Sequence, residues 1–253
     1  MTVPEGMSYK MKWRYLAMAM KKILVINSKG GSGKTTIATN LASYYAHNGQ
    51  LTVLMDYDPQ GSSMQWLKLR PAHLNQIHGA NAARRKGNVI RSWQMVISPS
   101  TQQLVIDAPA GVDGILMQEL VQRADSIVIP VAPSPVDIHA TSDFIKDLFL
   151  IGKIRLHNTR LAVIANRVRS NGPLYEPLRR FLDSLQIPFV TSVTDTDNYV
   201  EAMGMGMGVV EMDFEKTLTE RMELQPLVDW LGEPEKKEHN VTKLFPGKSA
   251  VAY

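Results

Sequence analysis

The sequence predicts a single α/β domain: a mostly parallel, doubly wound sheet flanked by helices. Short apolar runs rich in β-branched residues, such as Ile23-Leu24-Val25-Ile26, alternate with longer stretches of helical periodicity. Each crossover between runs is long enough for a right-handed βαβ connection. Glycines or carboxylates follow several of the runs directly, where an open α/β sheet collects its ligand groups.

The chain has 253 residues, enough for one sizeable core. It contains no cysteine, which excludes disulfides and Cys-ligated clusters. No apolar run approaches the roughly 20 residues that span a bilayer, so a soluble protein is expected. Residues 1–19 lack a long apolar core and a clear cleavage site. Met20-Lys21-Lys22 ahead of the first strand suits a start, so residues 1–19 are expected to be a loose extension, native or from an upstream start codon. The alternative is a helix at about Met11 to Met20 docking on the domain. Residues 20–232 form the predicted domain and 233–253 a polar tail. The net charge of +4 says little alone, and its distribution says more.

The first strand runs into Asn27-Ser28-Lys29-Gly30-Gly31-Ser32-Gly33-Lys34-Thr35-Thr36. Glycines let the backbone approach an anion, the amides of the loop and the next helix point at it, and Lys34 adds a positive charge. The Thr35 hydroxyl is then placed to coordinate Mg²⁺ beside the outer phosphates. Ser28 stands where the G-x4-G-K-[ST] pattern has its first glycine, and a second lysine, Lys29, precedes Gly30-Gly31.

This Lys-Gly-Gly-x-Gly-Lys-Thr spacing resembles the deviant Walker A ATPases of the ParA and MinD type, on a P-loop NTPase fold. The resemblance implies that Lys29 reaches across a dimer interface to the partner's nucleotide. It also implies ATP binding by Lys29, Gly30, Gly31, Ser32, Gly33, Lys34, Thr35 and Thr36, with Mg²⁺ as cofactor.

A helix at about Lys34 to His47 stops at Gly49. The strand Leu51 to Asp56 leads into Asp56-Tyr57-Asp58-Pro59-Gln60-Gly61-Ser62, similar to the switch I segment of the ParA group. A carboxylate there faces the ligand crevice, so Asp58 is a candidate to orient the attacking water and to approach the metal; Asp56 supports the switch. The other role open to Asp58-Pro59 is a turn cap. Residues 68–91 hold Lys68, Arg70, Arg84, Arg85, Lys86 and Arg91 with no carboxylate, either a solvated face or a surface for nucleic-acid phosphates.

Gln103 to Asp107, followed by Ala108-Pro109-Ala110-Gly111, is a strand that resembles a Walker B and switch II element, with Asp107 near the metal. A helix at about Gly114 to Arg123, a strand Ser126 to Val131 and a helix from Pro133 to about Ile151 follow. Ile138, Phe144, Ile145, Leu148 and Phe149 give that helix an apolar face for packing. Its Asp137 suits the helix dipole, and His139 needs no catalytic role. The strand Arg160 to Arg167 ends in Asn166-Arg167, resembling the position where the family reads adenine: an amide donates and accepts together.

From Lys153 to Arg180 basic residues face Glu176 alone, on a stretch that includes an amphipathic helix at about Pro173 to Gln186. Arg155, Arg169, Arg179 and Arg180 are DNA-phosphate candidates, as is Arg167 unless the nucleotide occupies it. A strand Pro188 to Thr191, a short helix and turn through Met203-Gly204-Met205-Gly206-Met207-Gly208, and a helix at about Glu215 to Leu231 complete the domain.

The resemblance implies an ATPase of slow, partner-stimulated turnover. ATP closes a homodimer, the dimer binds nonspecific DNA, and a cargo-bound adaptor protein triggers release, placing the protein in the cytoplasm on the nucleoid. The cargo would be a plasmid, a chromosome or a large protein assembly. Two other readings stay open. A MinD-like membrane positioner needs a terminal amphipathic helix, which 233–253 does not supply, so no stable membrane binding is expected. A small-molecule kinase or ligase on the same loop would be stimulated by a metabolite.

Overall fold

The computed structural model describes residues 20–83, 97–112, 114–152, 154, 159–169 and 172–233. Its sheet has seven strands: β1 (Lys21–Val25), β2 (Thr52–Asp56), β3 (Ile77–Asn81), β4 (Gln103–Asp107), β5 (Ser126–Val131), β6 (Arg160–Val168) and β7 (Phe189–Thr194). The order is β3-β2-β4-β1-β5-β6-β7, and every pairing is parallel. β2, β4 and β5 are buried at every residue. Covered on both faces, they need apolar side chains in continuous runs rather than in alternation.

The helices are α1 (Lys34–His47), α2 (Ser62–Leu69), α3 (Gly114–Arg123), α4 (Pro135–Leu150), α5 (Tyr175–Ser184), α6 (Asp197–Gly204) and α7 (Leu218–Gly232). They divide into two layers. α3, α4 and α5 pack on one face of the sheet through Leu120, Leu148 and Leu182, against Leu24, Ile106 and Ile129. α1, α2, α6 and α7 pack on the other through Leu41, Trp66, Ala202 and Leu227, against Val25, Leu54 and Val128. α4 starts where Ser134 accepts from the Asp137 amide and Pro135 occupies the first turn, a position where proline's missing N–H costs nothing. The expected apolar face of this helix is confirmed, with Phe144, Ile145 and Leu148 buried.

Two elements lie in stretches without a strong periodic signal. α2 follows Gly61, whose positive φ turns the chain out of the loop. β3 is a sheet edge, Ile-His-Gly-Ala-Asn, paired only with β2. Its Gly79 lets α2 lie close, since a Cβ there would come within 2.8 Å of Leu67 Cδ1. The Gly-Met segment is a packing device: a Cβ at Gly206 would overlap the Leu69–Arg70 backbone, and one at Gly208 the Ser43 side chain.

No described helix is long and apolar enough to cross a membrane. Residues 1–19, residues 84–96 with Arg84, Arg85, Lys86 and Arg91, and residues 234–253 lie outside the described residues.

The register places the polar chemistry along one edge. Asp56 and Asp107 are partners across β2 and β4, and Val25, the last residue of β1, is level with Asp107. The loop leaving β1 therefore stands beside the carboxylate at the end of its neighbour β4, with that of β2 one strand further out.

Candidate nucleotide site

The loop from Ile26 to Gly33 is tied down from below. The Asn27 amide, fully buried, donates to the Pro130 carbonyl (2.8 Å) and Thr141 Oγ1 (3.2 Å), and its oxygen accepts from the Lys29 amide (3.1 Å). Ser32 Oγ and Lys34 Nζ both donate to the Lys29 carbonyl, at 3.2 and 2.9 Å. Gly33 has φ +89°, and a Cβ there would fall on Asn166 Nδ2; only glycine fits, by conformation and by space. Burial pulls the Lys34 ammonium below its ordinary value, against the attraction of Asp107 and Asp58. This is a cation short of hydration, and a phosphate oxygen could share it.

Asp107 is the centre of the charged group. Its Oδ2 accepts from Thr35 Oγ1 at 2.8 Å and Ser63 Oγ at 2.6 Å. Its Oδ1 is buried with no partner among the described residues. Burial pushes the carboxyl up to about 6, although the two hydroxyls and Lys34 pull it down. Asp56 is raised as well, mainly by burial, and its oxygens accept from the amides of Asp58 (2.9 Å) and Met64 (3.2 Å). It thereby caps α2 and holds the Asp58 turn, the supporting role expected of it. Asp58 is half-buried, and its Oδ1 accepts from the Gln60 amide at 2.9 Å. In this state Asp58 is a turn cap that faces Lys34.

At the other end of the edge, Asn166 is buried and its Nδ2 donates to the Ser32 carbonyl at 2.8 Å. The amide expected to read adenine thus braces the phosphate loop with its donor. Arg167, exposed and at φ +57°, shares Asp195 with Arg169. Arg179 and Arg180 are exposed on α5, and Arg155 lies outside the described residues. Of the described basic candidates, Arg167 lies in β6, Arg169 just past its end, and Arg179 and Arg180 on α5.

Mg²⁺ takes oxygen ligands, one or two from carboxylates or hydroxyls and the rest from phosphates and water. A buried carboxylate oxygen without a partner, next to a threonine hydroxyl at the phosphate loop, fits such an ion. The residues that would hold it are Thr35 and Asp107, with Asp58 on the rim of the same crevice.

Comparison with known proteins identifies the family. The CobQ/CobB/MinD/ParA nucleotide binding domain (CbiA) matches residues 23–209. The chain belongs to this family. It is 27% identical over 197 residues, 75% of the chain and 87% of the relative, to the maintenance of carboxysome distribution protein A of Halothiobacillus neapolitanus. It is 33% identical over 130 residues to the chromosome-partitioning ATPase Soj of Thermus thermophilus, covering 49% of the chain and about half (52%) of Soj. Among solved structures, apo McdA from Cyanothece superposes with a TM-score of 0.65 at 15% identity, over 83% of the chain and 99% of that protein. MinD of Aquifex aeolicus gives 0.63 at 19%, over 87% and 100%. Family members include ATPases, and the likeness to the solved structures confirms the P-loop fold in this chain.

Two residues of the site carried no recognisable motif. Asn27 stands between the first strand and the glycine loop, and Ser63 follows the Asp58 turn in a stretch where the sequence marks no helix. Each is buried only because β5 or β4 comes to meet it from more than forty residues away in sequence.

Proposed function

We propose that the chain is a ParA-type Mg-ATP-dependent switch that positions or segregates a cargo on DNA. ATP binds along Gly30, Gly31, Ser32, Gly33, Lys34, Thr35 and Thr36, and the Asn166 carbonyl oxygen accepts from the adenine amino group, with Arg167 alongside. Mg²⁺ held by Thr35 and Asp107 would neutralise charge on the outer phosphate oxygens. Asp58 leaves its turn to orient the attacking water. Lys29 of each copy reaches the γ-phosphate of the other in an ATP-bound homodimer. A positive group supplied in trans can be worth on the order of 10³ to 10⁵ in rate, and a cargo-bound adaptor completes the site.

The observation that carries this reading is the buried oxygen of Asp107, without a partner among the described residues, beside a loop that holds two lysines. Family membership supports it, and the carboxysome and chromosome relatives support positioning as the task. DNA contact is assigned to Arg155, Arg169, Arg179 and Arg180, on the nucleoid in the cytoplasm.

Light scattering with a non-hydrolysable ATP analogue, together with retention on nonspecific DNA, tests this. Lys29→Ala should lose the ATP-dependent dimer and DNA retention; Asp58→Ala should keep both while turnover falls. Equal dimerisation by the two variants would remove the role of Lys29 in trans. ATP-dependent capture by anionic vesicles in place of DNA would favour membrane positioning, and turnover stimulated only by a metabolite would favour a kinase or ligase.

A further inference from the structure

Ser63 and Trp66 share one face of α2 at a spacing of three, and Arg70 follows directly after the helix's last residue, where the backbone turns extended. Each makes a polar contact at a different depth. Ser63, fully buried, donates to Asp107 Oδ2 at 2.6 Å. Trp66 Nε1 donates to the Met207 carbonyl at 3.2 Å. The Arg70 guanidinium closes a two-pronged pair with Glu211, whose carboxylate also accepts from the Gly208 amide. The segment it grips is seated on α1, where Asn40 Oδ1 accepts from the Val209 amide at 2.9 Å. The helix thus spans from the acidic end of β4 to the turn at 206–211.

Thr35 already serves Asp107 Oδ2, and Ser63 brings a second donor to the same atom from a different element. Two donors on one oxygen restrict rotation of the carboxylate and leave Oδ1 uncommitted. The fold itself makes little demand for that hydroxyl, since the start of α2 is already capped by Asp56.

We propose that Ser63 is a positioning residue of the nucleotide site: its hydroxyl sets the Asp107 carboxylate so that Oδ1 is presented to the cation, and it couples α2 to the occupancy of that site. This deepens the Mg-nucleotide reading above and rests on it. A cation on Oδ1 would draw charge from the carboxylate and weaken Oδ2 as an acceptor, so the hold on Ser63 would loosen at the first turn of a helix whose far end is anchored by Arg70. Trp66, between the two anchors, reports the change.

The test uses the full chain with Trp13, Trp93 and Trp230 replaced by Phe, which leaves Trp66 as the one tryptophan of the four. ADP and Mg²⁺ are the probes. ADP affinity is measured by calorimetry without and with Mg²⁺, and Trp66 emission is followed while Mg²⁺ is titrated at saturating ADP. Ser63→Ala should raise the Mg²⁺ concentration for half-saturation about tenfold, the size of a lost hydrogen bond to a charged group. It should leave metal-free ADP affinity unchanged and abolish the Mg²⁺-dependent emission change. Ser63→Cys, with a weaker donor of similar volume, should fall between. An unchanged Mg²⁺ requirement in Ser63→Ala overturns the inference; so does an equal loss of ADP affinity with and without the metal, which marks a purely structural role. A parent protein that binds no Mg-ADP overturns the underlying nucleotide reading instead, and that result is seen before any change at Ser63.

Discussion

On the β2–β4 side of the sheet, from Asp107 at the ligand edge to Arg70 past the far end of α2, charges are buried and held by several partners each; at the β6–β7 end of the ligand edge they stand in solvent. The Arg70–Glu211 pair has side chains only 7% and 1% exposed, whereas in the Arg169–Asp195 pair they are 80% and 26% exposed. Chemically the two pairs are alike. Burial removes the water that would screen the first, so each partner there depends on the other, while the second competes with solvent and salt. The difference separates a region that stores electrostatic free energy from one that offers charge to a diffusing partner.

The largest expected effect tests the buried side. Arg70→Ala leaves Glu211 buried without its cation and should destabilise the fold by about 3–5 kcal/mol in urea unfolding. A loss below about 1 kcal/mol would mean that water reaches Glu211 and that the two ends do not differ in kind.

Lys34→Ala should lower ATP turnover on the order of 10² to 10³, the scale of losing one preorganised charge-stabilising donor, with a smaller effect on folding. Steady-state kinetics at saturating Mg-ATP would check it.

The third prediction concerns pH. Asp107 sits at about 6 in the folded chain against 3.8 for a free carboxyl, so the folded state binds that proton more tightly than the unfolded one. Its contribution is favourable below about pH 4, is lost as pH rises towards 6, and above that costs roughly 3 kcal/mol for about two pK units. Ligand-free Asp107→Asn should therefore be more stable than the parent at pH 7 by up to about that amount, and the gain should shrink as pH falls from 6 to 4. A gain that stays flat from pH 4 to 7 would break the buried-charge account. Mg-ADP should reverse the order of the two proteins, because only the carboxylate rewards the cation.

The smallest effect lies on the exposed side. Arg169→Ala should change stability by no more than about 0.5 kcal/mol. If the arginine meets a phosphate, the salt dependence of DNA retention should weaken by about one unit of log–log slope.

The same division governs what could be read from the sequence. The loop Lys29 to Thr36, Asp58 and Asp107 are legible because phosphate chemistry fixes residue types at short spacings along one strand and turn. The buried strands are legible because cover on both faces demands unbroken apolar runs. Ser63 and Asn27 are not, since a serine or an asparagine at an element boundary also caps turns, and only the meeting of distant strands makes either part of the site. Asn166 was legible in position and not in geometry: its partner, the Ser32 carbonyl, is 134 residues away. β3 escaped notice because Ile-His-Gly-Ala-Asn has little intrinsic strand preference and is held by a single neighbour.

The strand order carries a further consequence for biogenesis. β1 lies between β4 and β5, so the run Ile23 to Val25 has no pairing partner until synthesis has passed residue 107. A ribosome-tethered chain of a hundred residues would hold this apolar run unpaired and its glycine loop unsupported. At about 5 to 20 residues per second that interval lasts several seconds, a window in which a chaperone can act, and a truncation before Gln103 should yield insoluble chains with no affinity for phosphate.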